Sequence, residues 1–398
     1  MDQKMINELR ASFASVYGDV ESRRLLLVVS PGRTEIAGNH TDHEGGDVIA
    51  GAVNRYVMGV FSKNDSGIMR VHSEGYGLSV VDVNDLDPRD EDRGTTTALI
   101  RGMAAQFAER GYQLGGFDAA VRSDVLGGSG LSSSAAFELE IGVAMNSLFA
   151  NGALSAEELA YMAQRAEREW FGKPCGLMDQ AAVALGGIQH MCFADPSKLE
   201  AESLDFDFGE HGYAICIVAV GADHAANIDD YAAVPAEMQA VAKELGEDVL
   251  SKVTKEQVIE AMPQIRGTLG DRAALRALHY FHEQELVALR VDALKQGDIY
   301  RFLVLTRFSG VSSATLLQNV SVGGASEQPS MLAIALAEGE LDGRGAARVH
   351  GGGFGGTIQA FVPLDEVESF SKAMDAVFGE GACGVYGIDH EGARAQWL

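Results

Sequence analysis

Phe117-Asp118-Ala119-Ala120-Val121-Arg122-Ser123-Asp124-Val125 runs straight into Leu126-Gly127-Gly128-Ser129-Gly130-Leu131-Ser132-Ser133-Ser134-Ala135, and the period changes between the two. Phe117, Ala119, Val121, Ser123 and Val125 alternate with Asp118, Ala120, Arg122 and Asp124, the pattern of a half-buried strand. Beyond the glycines, Phe137, Ile141, Met145 and Leu148 recur at helical spacing. The loop from Gly127 to Ser134 therefore joins a strand to a helix N-terminus, where unpaired N–H groups and the positive end of the helix dipole meet a backbone with little side-chain bulk. Such a junction lets a phosphate chain approach closely. Ser132, Ser133 and Ser134 add hydroxyls for phosphate oxygens or a magnesium ion. The competing reading is a Ser/Gly-rich turn ending in an N-cap. No Gly-Lys-Ser/Thr follows the glycines, so this is not a Walker loop and the cation facing a terminal phosphate must come from elsewhere.

Arg33 is the candidate for that cation. It lies in Pro31-Gly32-Arg33-Thr34-Glu35-Ile36-Ala37-Gly38-Asn39-His40-Thr41-Asp42-His43, which gathers a fixed charge, an amide, imidazoles and a carboxylate between Pro31-Gly32 and Gly45-Gly46. Hydroxyl-rich ligands both donate and accept, so Asp42 can take two hydroxyls while Asn39 and His40 serve others. A third segment is Glu167 with Pro174-Cys175-Gly176-Leu177-Met178-Asp179-Gln180. Asp179 sits among small apolar residues, which implies either a charged partner or a raised pKa. Either would suit a group that orients an attacking hydroxyl and takes its proton. A plain N-cap of the helix after Gly176 reads equally well from this segment alone.

Together these segments resemble the galactokinase branch of the GHMP small-molecule kinases, and Gly351-Gly352-Gly353-Phe354-Gly355-Gly356 resembles that family's C-terminal glycine motif. The resemblance implies an α+β, two-lobed fold of mixed sheets with helices packed on one side and the active site in the cleft between lobes. It implies ATP and Mg2+, with Arg33 and Asp179 as the catalytic pair and Gly127, Gly128, Ser129, Gly130, Leu131, Ser132, Ser133 and Ser134 around the nucleotide. Ser134 and Glu167 are the implied magnesium ligands, and Asn39, His40, Asp42, Gly176 and Tyr231 the implied sugar contacts. The implied reaction is phosphorylation of a sugar at its anomeric hydroxyl, with galactose the first choice of sugar.

Asn39 stands where galactokinases usually carry Glu to receive the 6-hydroxyl. A neutral amide still accepts from a hydroxyl, and it also tolerates a 6-carboxylate that Glu would repel, so a galacturonate 1-kinase stays open; His43 pairs with Asn39 as in galacturonate kinases. Residues 221–226 lack the family's Asn-Ser-Asn run, with only His224 reminiscent of it. A sugar- and ATP-binding regulator without activity is a further alternative, as is an unrelated nucleotide-binding scaffold.

The 398 residues, 46% hydrophobic and 22% charged, suffice for two domains, placed at 1–196 and 197–398 because the chain turns polar and acidic after Asp195-Pro196. With 57 acidic against 31 basic residues the formal charge is −26, which opposes nucleic acid and anionic lipid as partners. The expected partners are a small sugar and MgATP, and the oligomeric state is not legible. Apolar runs are strand-sized, and the first residues have no signal-like apolar core, so a cytoplasmic location is expected. Cys175, Cys192, Cys216 and Cys383 lack zinc spacing and read as reduced thiols. Ser155 with Glu158, and Thr254 with Gln257, mark capping boxes, and residues 271–295 carry one long helical pattern.

Overall fold

Leu26 and Val28 point to one side of the first strand while Leu25, Leu27 and Val29 point to the other, and all five are buried. A strand apolar on both faces needs cover on both. The computed structural model describes every residue except 1–2, 19, 126, 222–227, 323–325 and 355, so His224 and Gly355 lie outside the described residues. In it β1 (Leu26–Ala37) pairs antiparallel with the long β2 (Asp47–Asn64). β3 (Ile68–Ser73), β4 (Gly77–Asp82) and β5 (Gly116–Ser123) continue that sheet from the second half of β2, with β3 and β5 parallel. The first half of β2 instead pairs with β6 (Ile188–Cys192), which pairs with β7 (Glu200–Leu204). A second, antiparallel sheet has the order β11-β8-β10-β9, from β8 (Tyr213–Ala219), β9 (Ala346–Val349), β10 (Thr357–Pro363) and β11 (Cys383–Tyr386). β12 (Arg394–Trp397) returns to the first sheet and pairs with β1.

The helices cover these sheets. α1 (Gln3–Tyr17) presses Leu9 and Phe13 onto the Leu27 and Val29 face. The opposite face takes α2 (Thr96–Glu109), α3 (Ser133–Phe149), α4 (Ala156–Ala166) and α5 (Met178–Leu185), whose small and aliphatic side chains share one core with the strands. The helices expected on one side of the sheet thus gain α1 on the other. α6 (Ile228–Glu244), α7 (Lys255–Glu260), α8 (Met262–Thr268) and α9 (Asp271–Lys295) build a separate apolar cluster around Val234, Met238 and Tyr280. α10 (Ile299–Ser312) lies along α9, and α11 (Pro329–Leu341) and α12 (Val367–Phe378) cover the outer face of the second sheet. Both capping boxes are formed, Ser155 with Glu158 and Thr254 with Gln257. The 196/197 boundary falls between β6 and β7, two hydrogen-bonded strands of one sheet. All four cysteines are free thiols. Among the described residues no helix is long and apolar enough to cross a membrane.

Candidate active site

Arg33 occupies β1 where that strand runs beside the loop entering α3. Its backbone N–H donates to the Leu131 carbonyl at 3.0 Å, and its guanidinium donates to the Gly130 carbonyl. The same guanidinium forms a fork on Asp179, Nε to Oδ1 at 2.6 Å and Nη2 to Oδ2 at 2.7 Å. Gly130 has φ of 75°, and a methyl group there would meet Thr357 Oγ1 at 2.7 Å and His350 Nδ1 at 2.9 Å. Only glycine combines that backbone with that clearance. His350 bridges Thr34 Oγ1 and Thr357 Oγ1, each at 3.0 Å, and so ties the C-terminal glycine segment to β1 and the loop.

Asp179 lies in the first turn of α5, but the helix cap is Leu177 and makes no side-chain cap bond. The carboxylate is spent on Arg33 and on the Ser132 hydroxyl, which donates to Oδ2 at 2.7 Å. Burial by itself would raise this carboxyl. The Arg33 charge and hydrogen bonds, the Ser132 hydroxyl and the Lys173 ammonium outweigh it, so the net shift is downward and Asp179 is ionised at neutral pH. Of the two environments the sequence allows, the site uses the charged partner. Ser132 pays in backbone conformation, with φ of 58°, and likewise makes no cap bond to α3. A left-handed non-glycine residue is held by its surroundings, here by Asp179.

The next hydroxyl in the pattern turns the other way. Ser134 Oγ donates to Glu167 Oε1 at 2.8 Å, which places two hard oxygens side by side at the start of α3. Glu167 is buried and opens a π-helical turn, Glu167–Phe171, at the end of α4. The turn closes with Gly172 and Lys173 both donating backbone N–H to the Glu167 carbonyl, at 2.9 and 3.1 Å. Lys173 Nζ then reaches back to Glu167 Oε1 at 3.0 Å. Gln180 Nε2 donates to Glu167 Oε2 at 2.8 Å and to Glu138 Oε2 at 3.1 Å. Burial and the neighbouring Glu167 charge push the Glu138 carboxyl well up. Lys173, Gln180 and Glu138 complete this cluster, and no motif in the sequence points to a role for them. Gln180 is adjacent to Asp179 in the chain, whereas Lys173 reads there as an ordinary surface lysine. In the loop itself, Gly127 and Gly128 form the exposed rim, Ser129 and Ser133 are half-buried, and Leu131 is anchored in the core.

The segment following β1 is less open than its composition suggests. Asn39 is fully buried, and its amide donates to the Gly351 carbonyl at 2.6 Å and to Glu35 Oε1 at 3.3 Å. Its Oδ1 accepts from Asn319 Nδ2 at 2.8 Å and from Ser313 Oγ at 3.2 Å. The side chain expected to contact a sugar is therefore saturated by protein groups and brackets three segments together. His40 is also buried, between the Gly352 carbonyl (2.9 Å) and His43 (3.2 Å). Burial, reinforced by His43, lowers its pKa to about 3 and keeps it neutral. Asp42 remains partly exposed and faces Gly176, where a methyl group would collide with Asp42 Oδ2. Tyr231, half exposed, sets its ring 5.5 Å from that of His40 and against Gly352. Burial and the Asp42 and Asp179 charges push its phenol up to about 12, so it stays a donor.

A buried ionic bracket holds this segment from behind. Arg348 Nη2 donates to Glu35 Oε1 at 2.8 Å, and Glu283 accepts from the Gly38 N–H at 3.1 Å, from Ser309 Oγ at 2.9 Å and from Arg290. His279 on α9 joins Ser312 Oγ to the Asn39 carbonyl at 2.8 and 2.9 Å.

Arg33, Asp179, Ser132, Ser134 and Glu167 thus converge on one place, with Asp42, Gly176 and Tyr231 beside them. Residues 98–187 match the GHMP kinases N terminal domain, and residues 11–63 match the galactokinase galactose-binding signature. A galactokinase of Streptomyces coelicolor is 32% identical over 355 residues, 88% of this chain and 87% of that one. One of Thermotoga petrophila is 34% identical over 367 residues, covering 89% and 97%. The fold is similar to that of Lactococcus lactis galactokinase crystallised with galactose, with a TM-score of 0.82 over 99% of this chain and 100% of that one at 24% identity. It is similar also to a mevalonate kinase, with a TM-score of 0.66 over 92% and 99% at 14% identity. The chain belongs to the galactokinase family of GHMP kinases, phosphotransferases that use an alcohol group as acceptor.

Proposed function

We propose that this chain transfers the γ-phosphoryl group of ATP to the anomeric hydroxyl of galactose. The observation that carries the proposal is the Arg33–Asp179 fork with the Ser132 hydroxyl on the same carboxylate, set where the loop enters α3. Asp179 accepts a hydrogen bond from the anomeric hydroxyl and aims its oxygen at the γ-phosphorus. A new O–P bond forms as the bond to the β-phosphate oxygen breaks. ADP leaves, and the hydroxyl proton passes to Asp179 and then to solvent. Because Asp179 is held ionised and well paired, it orients the hydroxyl early and takes the proton late. The remaining guanidinium N–H groups of Arg33 and the loop amides meet the charge on the transferring group and the departing diphosphate. Asp42, the backbone at Gly176 and Tyr231 form the open part of the sugar subsite, while Asn39 and His40 shape it from beneath.

Ser134 Oγ and Glu167 Oε1 suit Mg2+, a hard ion that takes few protein oxygens and completes its shell with phosphate and water. Among the described residues no cluster of three or more His, Cys, Asp or Glu side chains forms a ready cage, in keeping with such a shared site. When bound, the ion screens the β- and γ-phosphate charges.

Asn39 keeps galacturonate as the second reading. Against it, residues 34–46 contain neither Lys nor Arg, and His40 is neutral, so this segment supplies a 6-carboxylate with no fixed cation. The test is ATP consumption by the purified chain with galactose, galacturonate or no sugar. Turnover that needs galactose is expected; turnover with galacturonate alone transfers the proposal to the uronic acid, and none with either sugar removes it.

A further inference from the structure

Arg33 alone does not balance the charge of this site. Two of its nitrogens are committed to Asp179 and a third to the Gly130 carbonyl, so the ion pair carries no net charge. Asp42 and Glu167 add carboxylates nearby, in a chain of formal charge −26. Even with Mg2+ bound, MgATP keeps a net negative charge, which a further protein cation would meet.

We propose that Lys173 is that cation: paired with Glu167, its ammonium also reaches the β- and γ-phosphate oxygens of ATP when MgATP binds. The inference rests on the kinase reading and adds a residue to it. Its geometry is specific. Lys173 Nζ and Ser134 Oγ both bond Glu167 Oε1, at 3.0 and 2.8 Å, so the ammonium already stands at the start of α3 where the loop ends. The side chain is 53% exposed and, among the described residues, has Glu167 as its one hydrogen-bond partner, which leaves two N–H donors uncommitted. Its backbone is fixed by the π turn through the N–H bond to the Glu167 carbonyl, so only the flexible four-carbon stem has to move. Mg2+ held by Glu167 Oε1 would compete with the ammonium for that oxygen and leave the flexible stem of Lys173 to reach other acceptors.

The test is calorimetric titration of wild type, Lys173→Met and Lys173→Arg with a non-hydrolysable ATP analogue plus Mg2+, and separately with galactose. Loss of a charge-assisted contact should weaken nucleotide binding about 10- to 100-fold in Lys173→Met. Lys173→Arg should recover most of that loss, and the galactose affinity of both variants should stay within about twofold of wild type, the spread expected for a site left intact. Unchanged or tighter nucleotide binding in Lys173→Met overturns the proposal, because the lysine then only covers Glu167. Parallel loss of galactose and nucleotide overturns it as well, by marking a folding role. If wild type binds galactose but no nucleotide, the kinase reading itself fails and takes the lysine with it.

Discussion

Replacing Glu140 with Met should make the protein more stable. Glu140 lies on α3, fully buried, and among the described residues neither of its carboxyl oxygens has a hydrogen-bond partner. It lies over Gly59 of β2, where a methyl group would meet Oε1 at 2.7 Å, in company with Phe61 and Val121. An unpaired buried polar group costs about 1–3 kcal/mol. Methionine has the same unbranched reach, removes the polar oxygens and adapts its shape to the gap. The net gain should therefore be about 1–3 kcal/mol, less whatever the larger sulfur and methyl cost in crowding. At about 1.2 °C per kcal/mol for a chain of this size, calorimetry should read a rise in Tm of roughly 1–4 °C. The pH dependence gives a second handle. Burial raises the Glu140 carboxyl well above the ordinary range, so the folded protein keeps a proton that the unfolded chain releases near pH 4.3, roughly its unperturbed value. Stability linked to that proton is complete below the unfolded value and is lost as pH rises toward the folded one. Methionine has no such loss, so its advantage should widen through that window. A Met variant less stable than wild type at every pH would show that the carboxyl has a partner worth more than its desolvation.

Asp179→Asn should lower kcat by about 10²-fold or more while leaving galactose affinity near normal, and steady-state kinetics with near-normal turnover would take the orienting role away from this carboxylate. Arg33→Lys cannot reproduce the fork on Asp179 and should cost about 10²-fold in kcat/KM, whereas wild-type kinetics in this variant would reduce Arg33 to a point charge. Glu283→Gln leaves Arg290 buried without its counter-charge and should destabilise by about 3–5 kcal/mol in urea unfolding. Burial would raise Glu283, but Arg290, His279 and Arg348 hold its pKa at about 2, so its contribution is present above the ordinary carboxyl value and lost as pH falls toward about 2. The Gln variant should lack that acid-limb loss, and an unchanged acid unfolding profile would count against the pairing. Asn39→Glu sets a second carboxylate against Glu35 and the Gly351 carbonyl, and should raise KM for galactose about tenfold with no gain in discrimination against galacturonate. Improved galactose turnover with galacturonate selectively excluded would return the reading of carbon 6 to this side chain.

What could be read from sequence was local. The strand, glycine loop and helix around residues 116–149 announce themselves by a change of period, and the 25-residue helix from Asp271 to Lys295 by its own repeat. Arg33 and Asp179 stood out because a fixed cation and a lone carboxylate in small-residue surroundings require explanation. Lys173 did not, because its position depends on a π turn that no spacing rule foretells. Asn39 misled for a related reason. Its partners Gly351, Ser313 and Asn319 are more than 270 positions away, so composition alone made it look available for a ligand. The ionic bracket of Glu35, Glu283, Arg290 and Arg348 was likewise invisible, since each member alone resembles a solvated surface charge. The return of β12 to β1 is a pairing between chain ends, beyond the range of periodicity.

That bracket has a consequence for anyone who would cut the polypeptide in two between β6 and β7. The severed N-terminal piece would carry Glu35 and the Gly38 N–H with no counterpart, and the C-terminal piece would keep Arg348 deprived of the carboxylate it was folded around. Each fragment would expose half of the bracket, and co-expressed halves are expected to reassemble around those ions. Catalytic competence in this molecule is a property of the joined chain.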